Sequence, residues 1–165
     1  MSTPRADRPY MPGYGVAGPD EGTGLLPWSW ATERLGTTRD HWLATVGANG
    51  WPHVSPVWGV WLDDCVWFSC SPASRKARNL AHEPRCVVTT DDAERPVIVE
   101  GIAERVDARE AIEDFTERSN DKYEVDYPVD FYLEQALFRV YPRRVFALDS
   151  DDFTGSPTRF TIEDD

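Results

Sequence analysis

The sequence has no apolar run that approaches the roughly 18–20 residues of a membrane-spanning helix. Its first residues lack the apolar segment of a secretory signal peptide. Cysteine is scarce: Cys65, Cys70 and Cys86 are odd in number, and no two of them form a CxxC pair. This usage predicts reduced, mostly buried thiols in a cytoplasmic protein.

Histidines are few, and basic residues are outnumbered by acidic ones, 17 to 29. None of the three histidines, His41, His53 and His82, has metal-ligand spacing with cysteines or carboxylates, so no metal site is expected. The net charge of −12 excludes the broad basic surface that binds nucleic acid or anionic membrane. The Rossmann glycine fingerprint, the P-loop and the HExxH motif are all missing.

One segment opposes this acidic background. Residues 72–90 contain four cations and one acid, a local net charge of +3, from Arg75, Lys76, Arg78, Arg85 and Glu83. Ser74 is a favourable N-cap, and the apolar residues after it recur at helical spacing, which predicts a helix over 74–82. Cations in a first turn oppose the helix dipole, whereas a phosphate would be held by both. The segment therefore predicts either a phosphate site or a solvated cationic surface.

The remaining pattern predicts a mainly β (α+β) fold. Alternating apolar residues predict strands over 41–46, 51–62, 66–70, 85–90, 97–106, 137–141 and 144–149. Further helices are expected from residue 29 and over 108–121, and residues 122–135 are irregular and acidic. Because no regular βαβ alternation occurs, we expect a six- to seven-stranded antiparallel barrel with two or three flanking helices.

The domain organisation is predicted to be simple. Residues 1–26 are rich in proline and glycine and indicate a flexible N-terminal arm. Residues 27–160 form one domain, and residues 161–165 form an acidic tail. Four of the seven tryptophans crowd into two consecutive strands, which fits core packing, an aromatic pocket or a dimer face.

Five short motifs occur in order along this domain. They are HVSPVW (53–58), VWFS (66–69), SRKARNL (74–80), PR (84–85) and VIVEGIAE (97–104). Taken together, the set resembles the pyridoxamine-phosphate-oxidase-like split-barrel family of flavin and deazaflavin oxidoreductases, over about residues 28–160. The resemblance implies an FMN-binding split β-barrel and a homodimer with the cofactor at the subunit interface.

The resemblance also implies a set of cofactor-binding residues. One strand lines the flavin ring, the end of the next strand lies beside the ribityl chain and phosphate, and the following helix start binds the phosphate. Carried onto this sequence, these residues are Val54, Ser55, Pro56, Val57, Trp58, Gly59, Ser69, Cys70, Ser71, Ser74, Arg75, Lys76 and Asn79. The cofactor is expected to be FMN, with the deazaflavin F420 as the alternative. Its longer tail needs a basic groove, and Arg78, Arg85 and Arg95 either supply that groove or are surface charge.

Two positions depart from the family's oxidases proper, which carry lysine at Gly59 and glutamine at Pro96. The arginine- and histidine-bearing segment at their chain end is missing as well. We therefore predict hydride transfer with an unidentified small organic substrate, and not true pyridoxamine phosphate oxidase activity. No catalytic residue is assigned, and the candidate proton donors are Tyr123, Tyr127 and Arg139.

The alternative function is a non-catalytic carrier or sensor that binds flavin or haem. In that case His53 is the candidate haem ligand, because it lies on the strand that is predicted to line the site.

Overall fold

The computed structural model describes residues 3–163, and within them the chain forms nine strands, four α-helices and a short 3-10 helix, Ser150–Asp152. The strands are β1 (Arg5–Asp7), β2 (Asp40–Val46), β3 (Pro52–Trp58), β4 (Val60–Leu62), β5 (Cys65–Cys70), β6 (Arg85–Thr90), β7 (Val97–Val106), β8 (Ala136–Ala147) and β9 (Thr158–Thr161). The helices are α1 (Trp28–Thr37), α2 (Arg75–His82), α3 (Arg109–Tyr123) and α4 (Val129–Leu133). None of these helices is long and apolar enough to cross a membrane.

Every strand pairing is antiparallel, and β8 is the strand around which the sheet divides. The continuous path runs β1-β9-β8-β7-β6-β2-β3. One edge of β8 pairs with β7 along almost its whole length. The other edge is shared, because β5 pairs with residues 136–140 and β9 pairs with residues 144–147. The result is an open split β-barrel, and it confirms the predicted mainly β fold class.

The core lies in two clusters on either side of this division. Inward-facing residues of alternate strand positions, including Leu43, Val88, Val99 and Val145, form the larger cluster inside the barrel. The smaller cluster, which includes Phe115, packs α3 and α4 against β4 and β5. Period-two burial of the strands is the pattern expected of a sheet with one buried face.

The predicted strand over 51–62 is two strands, because the chain breaks at Gly59. Residues before the break pair with β2, whereas residues after it pair with β5. A Cβ atom at position 59 would lie 2.5 Å from the His41 Nδ1 atom, so the absence of a side chain permits this close approach. The Gly59 carbonyl accepts hydrogen bonds from Lys122 Nζ at 2.6 Å and from the Tyr123 hydroxyl at 3.0 Å.

The prediction of two strands separated by Pro142 is also wrong, since β8 continues through this proline. Proline has no N–H to donate, so it is tolerated in a strand at edges and bulges. Pro142 lies opposite Gly101, where the register with β7 shifts between Glu100 and Gly101. It also lies between the residues that pair with β5 and those that pair with β9. Neither ladder therefore needs its missing N–H group.

Both terminal regions contain structure that the sequence pattern did not indicate. β1 lies in the predicted arm and pairs with β9, of which residues 158–160 belong to the predicted domain and Thr161 to the predicted tail. The Arg8 guanidinium donates to the carbonyl oxygens of Gly18, Glu21, Gly155 and Pro157. Residues 1–2 and 164–165 of these segments lie outside the described residues. Within residues 3–26 the predicted flexible arm is therefore held to the barrel.

Three of the four α-helices were predicted, and the fourth, α4, was not. α1, α2 and α3 correspond to the three expected helices, although α3 ends two residues later than predicted. The Glu124 backbone is left-handed, with φ 55°, and it turns the chain from α3 into the segment that was expected to be irregular. That segment contains the short helix α4.

The Gly101→Ala substitution is expected to lower the free energy of unfolding by about 1–3 kcal/mol, the usual cost of overpacking a close contact. Its Cβ atom would lie 2.5 Å from the backbone carbonyl oxygen of Tyr141, which cannot rotate away. Gly36→Ala in α1 is the matched control: its Cβ would meet nothing within 4 Å. The control should stabilise the helix by roughly 0.5–1 kcal/mol. Urea unfolding measures both variants, and equal effects would contradict the packing argument.

Candidate functional site

A cavity of about 670 Å³ lies between β3, the end of β5, the start of α2, and α4. We call it the β3–α4 cavity, and its lining residues are Asp40, Pro56, Val57, Trp58, Ser69, Cys70, Ser71, Ser74, Lys76, Tyr127, Phe131, Tyr132 and Gln135. Eight of the thirteen predicted cofactor residues are therefore brought together around one space. They come from three separate parts of the sequence, which the pairing of β5 with β8 and the packing of β3 near β5 bring side by side.

The other five predicted residues do not line this cavity. Val54 is 57% exposed on the outer face of β3, and Gly59 is buried against His41. Arg75 is exposed next to Lys76 at the start of α2. Ser55, Gly59 and Arg75 adjoin lining residues in sequence, and Val54 is two residues from Pro56. Asn79 lies further away, because its buried amide donates to the Thr45 hydroxyl at 3.0 Å and ties α2 to β2.

The entrance to α2 is built from two serines. Ser74 is the N-cap, and its Oγ accepts a hydrogen bond from the backbone N–H of Ala77 at 3.2 Å. Ser71 Oγ accepts from the backbone N–H of Ala73 at 3.2 Å. Since both hydroxyl oxygens act as acceptors in these bonds, each hydroxyl proton remains available to donate to a ligand in the cavity.

Three cations at this helix start have no acidic partner. Among the described residues, no carboxylate lies within salt-bridge distance of Arg75, Lys76 or Arg78. Ion pairs with carboxylates do form at Arg5, Arg85, Arg95, Arg105, Arg109, Arg139, Arg144 and Arg159. An acidic protein that leaves these three cations unpaired at a helix N-terminus has the features of an anion site. The ion pairs of Arg85 and Arg95 do not favour the basic groove suggested for them.

The neighbouring strand carries polar atoms that lack a partner. Ser55 Oγ and His53 Nδ1 are buried and make no hydrogen bond. Desolvation, and then the nearby charges of Arg75 and Lys76, lower the pKa of His53. The imidazole is therefore neutral near pH 7, and the two cations lie close to β3. A buried hydroxyl without a partner costs about 1–3 kcal/mol, so a ligand atom that bonds Ser55 would recover this energy.

The cavity contains a thiol but no activated nucleophile. Burial raises the pKa of Cys70, although Ser74 and Lys76 act in the opposite direction. Burial also raises the pKa of Cys65 to about 11 and that of Cys86 to about 12. All three cysteines are free. Protonated thiols are poor nucleophiles, so covalent catalysis by cysteine is disfavoured.

The opposite wall of the cavity is aromatic. The Trp58 ring stacks on Tyr123 with centroids 4.3 Å apart, and Tyr127 stacks on Phe131 with centroids 4.5 Å apart. Asn120 of α3 fixes the Tyr127 backbone, because its amide donates to the Tyr127 carbonyl at 2.9 Å and its oxygen accepts from the Tyr127 N–H at 3.2 Å. The chain at Tyr127, just before α4, is therefore held in place before any ligand binds.

Sequence reasoning missed several residues of this wall as site residues. Asp40, Phe131, Tyr132 and Gln135 line the cavity without having been predicted, and Tyr127 was named only as a candidate proton donor. Local spacing gave no signal for Tyr127 and Phe131 as a pair, because α4 begins at Val129 and Tyr127 precedes it.

The other two candidate proton donors are engaged elsewhere. The Tyr123 hydroxyl lies 2.6 Å from the Arg39 carbonyl oxygen and 3.0 Å from that of Gly59, and burial raises its pKa. Arg139 pairs with Glu104 at 3.1 Å. Neither Tyr123 nor Arg139 lines the cavity.

Lys122 donates to the same Gly59 carbonyl as Tyr123. Burial lowers the pKa of Lys122 to about 8, so its ammonium group remains largely charged near neutral pH.

The family model described as pyridoxamine 5'-phosphate oxidase matches residues 33–154, well over half of the chain. This protein belongs to the pyridoxamine 5'-phosphate oxidase family. The matched region runs from α1 to the segment before β9 and contains every residue of the β3–α4 cavity. No curated protein matches the chain.

Solved structures share this family fold. The conserved hypothetical protein Rv2991 from Mycobacterium tuberculosis aligns with a TM-score of 0.70 at 26% identity, over 77% of this chain and 87% of that one. An F420 reductase aligns with a TM-score of 0.56 at 24% identity, over 71% and 95% of the two chains. A heme binding protein from Mycobacterium smegmatis aligns with a TM-score of 0.56 at 22% identity, over 79% and 62%. The last two likenesses concern the fold alone.

The His41 side chain predicts a pH dependence of stability. Burial, and then the charge of Lys122, lower its pKa from 6.5 to about 4. Below pH 6.5 the unfolded chain therefore takes up a proton that the folded chain does not, and stability falls with pH. The contribution lost between pH 7 and pH 5 is about 2 kcal/mol.

Urea unfolding of the wild type and of His41→Leu at both pH values measures this contribution. The wild type should lose about 2 kcal/mol more than the variant. His82→Gln, at the exposed end of α2, is the control and should retain the wild-type loss. An equal loss in wild type and His41→Leu would show that His41 does not carry the effect.

Proposed function

We propose that this protein is an oxidoreductase that binds a flavin or deazaflavin and exchanges hydride with a small organic substrate. The observation that carries the proposal is that α2, whose first turn holds three cations without carboxylate partners, begins at an aromatic-walled cavity that Lys76 lines. A cofactor with an anionic end and a flat ring requires both features in one space.

The residues present fit such a cofactor. Ser71, Ser74 and Lys76 line the cavity at the helix start, where hydroxyl and ammonium donors favour a phosphate. The unpartnered Ser55 hydroxyl on β3 offers a further hydrogen bond. Pro56 and Trp58 supply apolar surface for a planar ring.

The cofactor would supply hydride transfer, and the protein's contribution is binding, orientation and electrostatics. The helix start fixes the anionic end, and β3 sets the position of the ring relative to Trp58. Among the described residues that line the cavity, Cys70 is the one thiol, and burial raises its pKa, so it is not an activated nucleophile. FMN is the proposed cofactor, with F420 as the alternative, and the similarity to an F420 reductase supports the second through fold alone.

The site does not favour true pyridoxamine phosphate oxidase activity. No side chain fits at position 59, because a Cβ atom there would lie 2.5 Å from His41 Nδ1. The family's oxidases are expected to carry a lysine at this position, and the packing against His41 leaves no room for one. We propose a different substrate for this member of the family.

The second candidate is a non-catalytic carrier or sensor for flavin or haem. It is supported by the fold shared with a heme binding protein and by the lack of an activated acid or nucleophile in the cavity. His53 is its candidate axial ligand, since its Nδ1 atom is buried without a partner. Turnover separates the two functions: repeated reduction and reoxidation of a bound cofactor by a substrate supports the enzyme.

Replacing both Arg75 and Lys76 with alanine should weaken FMN binding roughly a hundredfold, because two charge-assisted contacts to the phosphate are lost. Fluorescence titration with FMN and with F420 measures the affinities, and far-UV circular dichroism checks the fold.

Arg85→Ala is the matched control for this double variant. Arg85 belongs to the same basic segment but is paired with Glu83, so its loss should change FMN affinity less than about twofold. Unchanged FMN affinity in the double variant would contradict the assignment of the cofactor phosphate to Arg75 and Lys76.

We also propose that the protein is a homodimer, as the family generally is. The outer face of the β2–β3 hairpin exposes a row of apolar side chains: Trp42, Val46, Pro52, Val54 and Pro56. A contiguous apolar sheet face is typical of an interface between subunits. Pro56 belongs both to this face and to the lining of the cavity, so a dimer formed through this face would have the cofactor at its interface.

Val54→Glu should convert the dimer to a monomer, because it places a charge in the centre of this apolar face. Light scattering after size exclusion measures the mass. Tyr10→Glu, on an 87% exposed side chain of the N-terminal segment, should leave the dimer intact. A Val54→Glu protein that stays dimeric would place the interface elsewhere.

A further inference from the structure

The β3–α4 cavity has two chemically different ends. The start of α2 lines one end with the Ser71 and Ser74 hydroxyls and the Lys76 ammonium group, and Tyr127 and Phe131 line the other end. We call the region around Ser71, Ser74 and Lys76 the cationic end and the region around Tyr127 and Phe131 the aromatic end.

The aromatic end presents free ring surface to the cavity. Tyr127 and Phe131 are each 39% exposed, and Trp58 is 41% exposed, although all three line the cavity. Each of them stacks on another ring, so each ring is supported from one side. Phe131 also meets Tyr132 edge-on at 5.1 Å between centroids, and the Tyr132 hydroxyl lies 3.1 Å from Ser119 Oγ. Rigid, partly exposed rings of this kind are suited to stacking with a flat molecule.

Tyr127 and Phe131 lie in an acidic part of the chain. Asp40 is the carboxylate that lines the cavity. From Glu124 to Phe138 the sequence has four acids and neither lysine nor arginine. Two cations lie beside Tyr123, the ring that stacks on Trp58: Lys122 Nζ donates to the Gly59 carbonyl, and the Lys122 and Arg39 charges each lie 5.4 Å from the centre of the Tyr123 ring.

We infer that the aromatic end is the substrate subsite and that it takes a planar aromatic molecule that is neutral or cationic. Aromatic surfaces attract flat rings and cations, and Asp40 with the surrounding acids repels anions. The inference rests on the proposed function, because the cofactor phosphate is assigned to the cationic end. It makes phosphorylated or carboxylated substrates poor ligands.

Three bicyclic ligands of similar shape and different charge test this inference. They are quinoline, the cation N-methylquinolinium and the anion 1-naphthalenesulfonate. Isothermal titration measures their binding to protein saturated with whichever of FMN and F420 it binds. Quinoline and N-methylquinolinium should bind at least roughly tenfold more tightly than the sulfonate.

Substitutions assign the binding to the aromatic end. Tyr127→Ala and Phe131→Ala should each weaken binding of quinoline about tenfold, whereas flavin affinity should change little. Leu133→Ala is the matched control: Leu133 lies on α4 with Phe131 and is 37% exposed, but it does not line the cavity. Asp40→Asn should reduce the preference for N-methylquinolinium over quinoline and leave quinoline affinity within about twofold.

The outcomes separate the two proposals. If flavin binds and all three ligands bind equally, or Leu133→Ala weakens binding as much as Tyr127→Ala, the substrate subsite is wrong and the proposed function stands. Release of the flavin by quinoline would also overturn the subsite, since the aromatic end would then belong to the cofactor ring. If neither FMN nor F420 binds, the proposed function fails, and the same titrations on the protein alone still test whether Tyr127 and Phe131 bind planar ligands.

Discussion

The antiparallel pairing of β8 is the interaction on which the rest of the molecule depends. This strand is hydrogen-bonded to β7 along one edge and to both β5 and β9 along the other. The larger core cluster and the packing of the terminal segments follow from it, because β9 in turn holds β1. Pairing with the first half of β8 also fixes the end of β5, so Ser69 and Cys70 stand at the wall of the cavity. Without this ladder, the helix start at Ser74 would not face β3.

Charge separation then gives the cavity its chemistry. The chain carries a net charge of −12, and most of its arginines are neutralised by neighbouring carboxylates. The three cations of α2 have no carboxylate partner, and α2 begins at a cavity that has one aromatic wall and is lined by a single carboxylate, Asp40. Buried and partly buried charges interact more strongly than solvated ones, so this arrangement favours a ligand with an anion at one end. The clamp on the Gly59 carbonyl by Lys122 and Tyr123 holds the strand end that carries Trp58.

The fold class and the cationic half of the site could be predicted from local sequence. The α2 start combines an N-cap serine, a helical apolar face and a cluster of cations, and each of these signals is contained within ten residues. The aromatic half could not be predicted in the same way, since Tyr127 and Phe131 lie in an acidic segment whose helix is only five residues long. Their role depends on the turn at Glu124 and on Asn120. The continuity of β8 through Pro142 likewise depends on a bulge at Gly101 in another strand.

The measurement that tests the central claim most directly is a paired titration of the wild-type protein with FMN and with riboflavin, which differ only in the phosphate. If α2 binds the phosphate, FMN should bind at least roughly a hundredfold more tightly than riboflavin, and added salt should reduce the difference. Equal affinities for FMN and riboflavin would contradict the account, because the unpaired cations of α2 would then contribute nothing to binding.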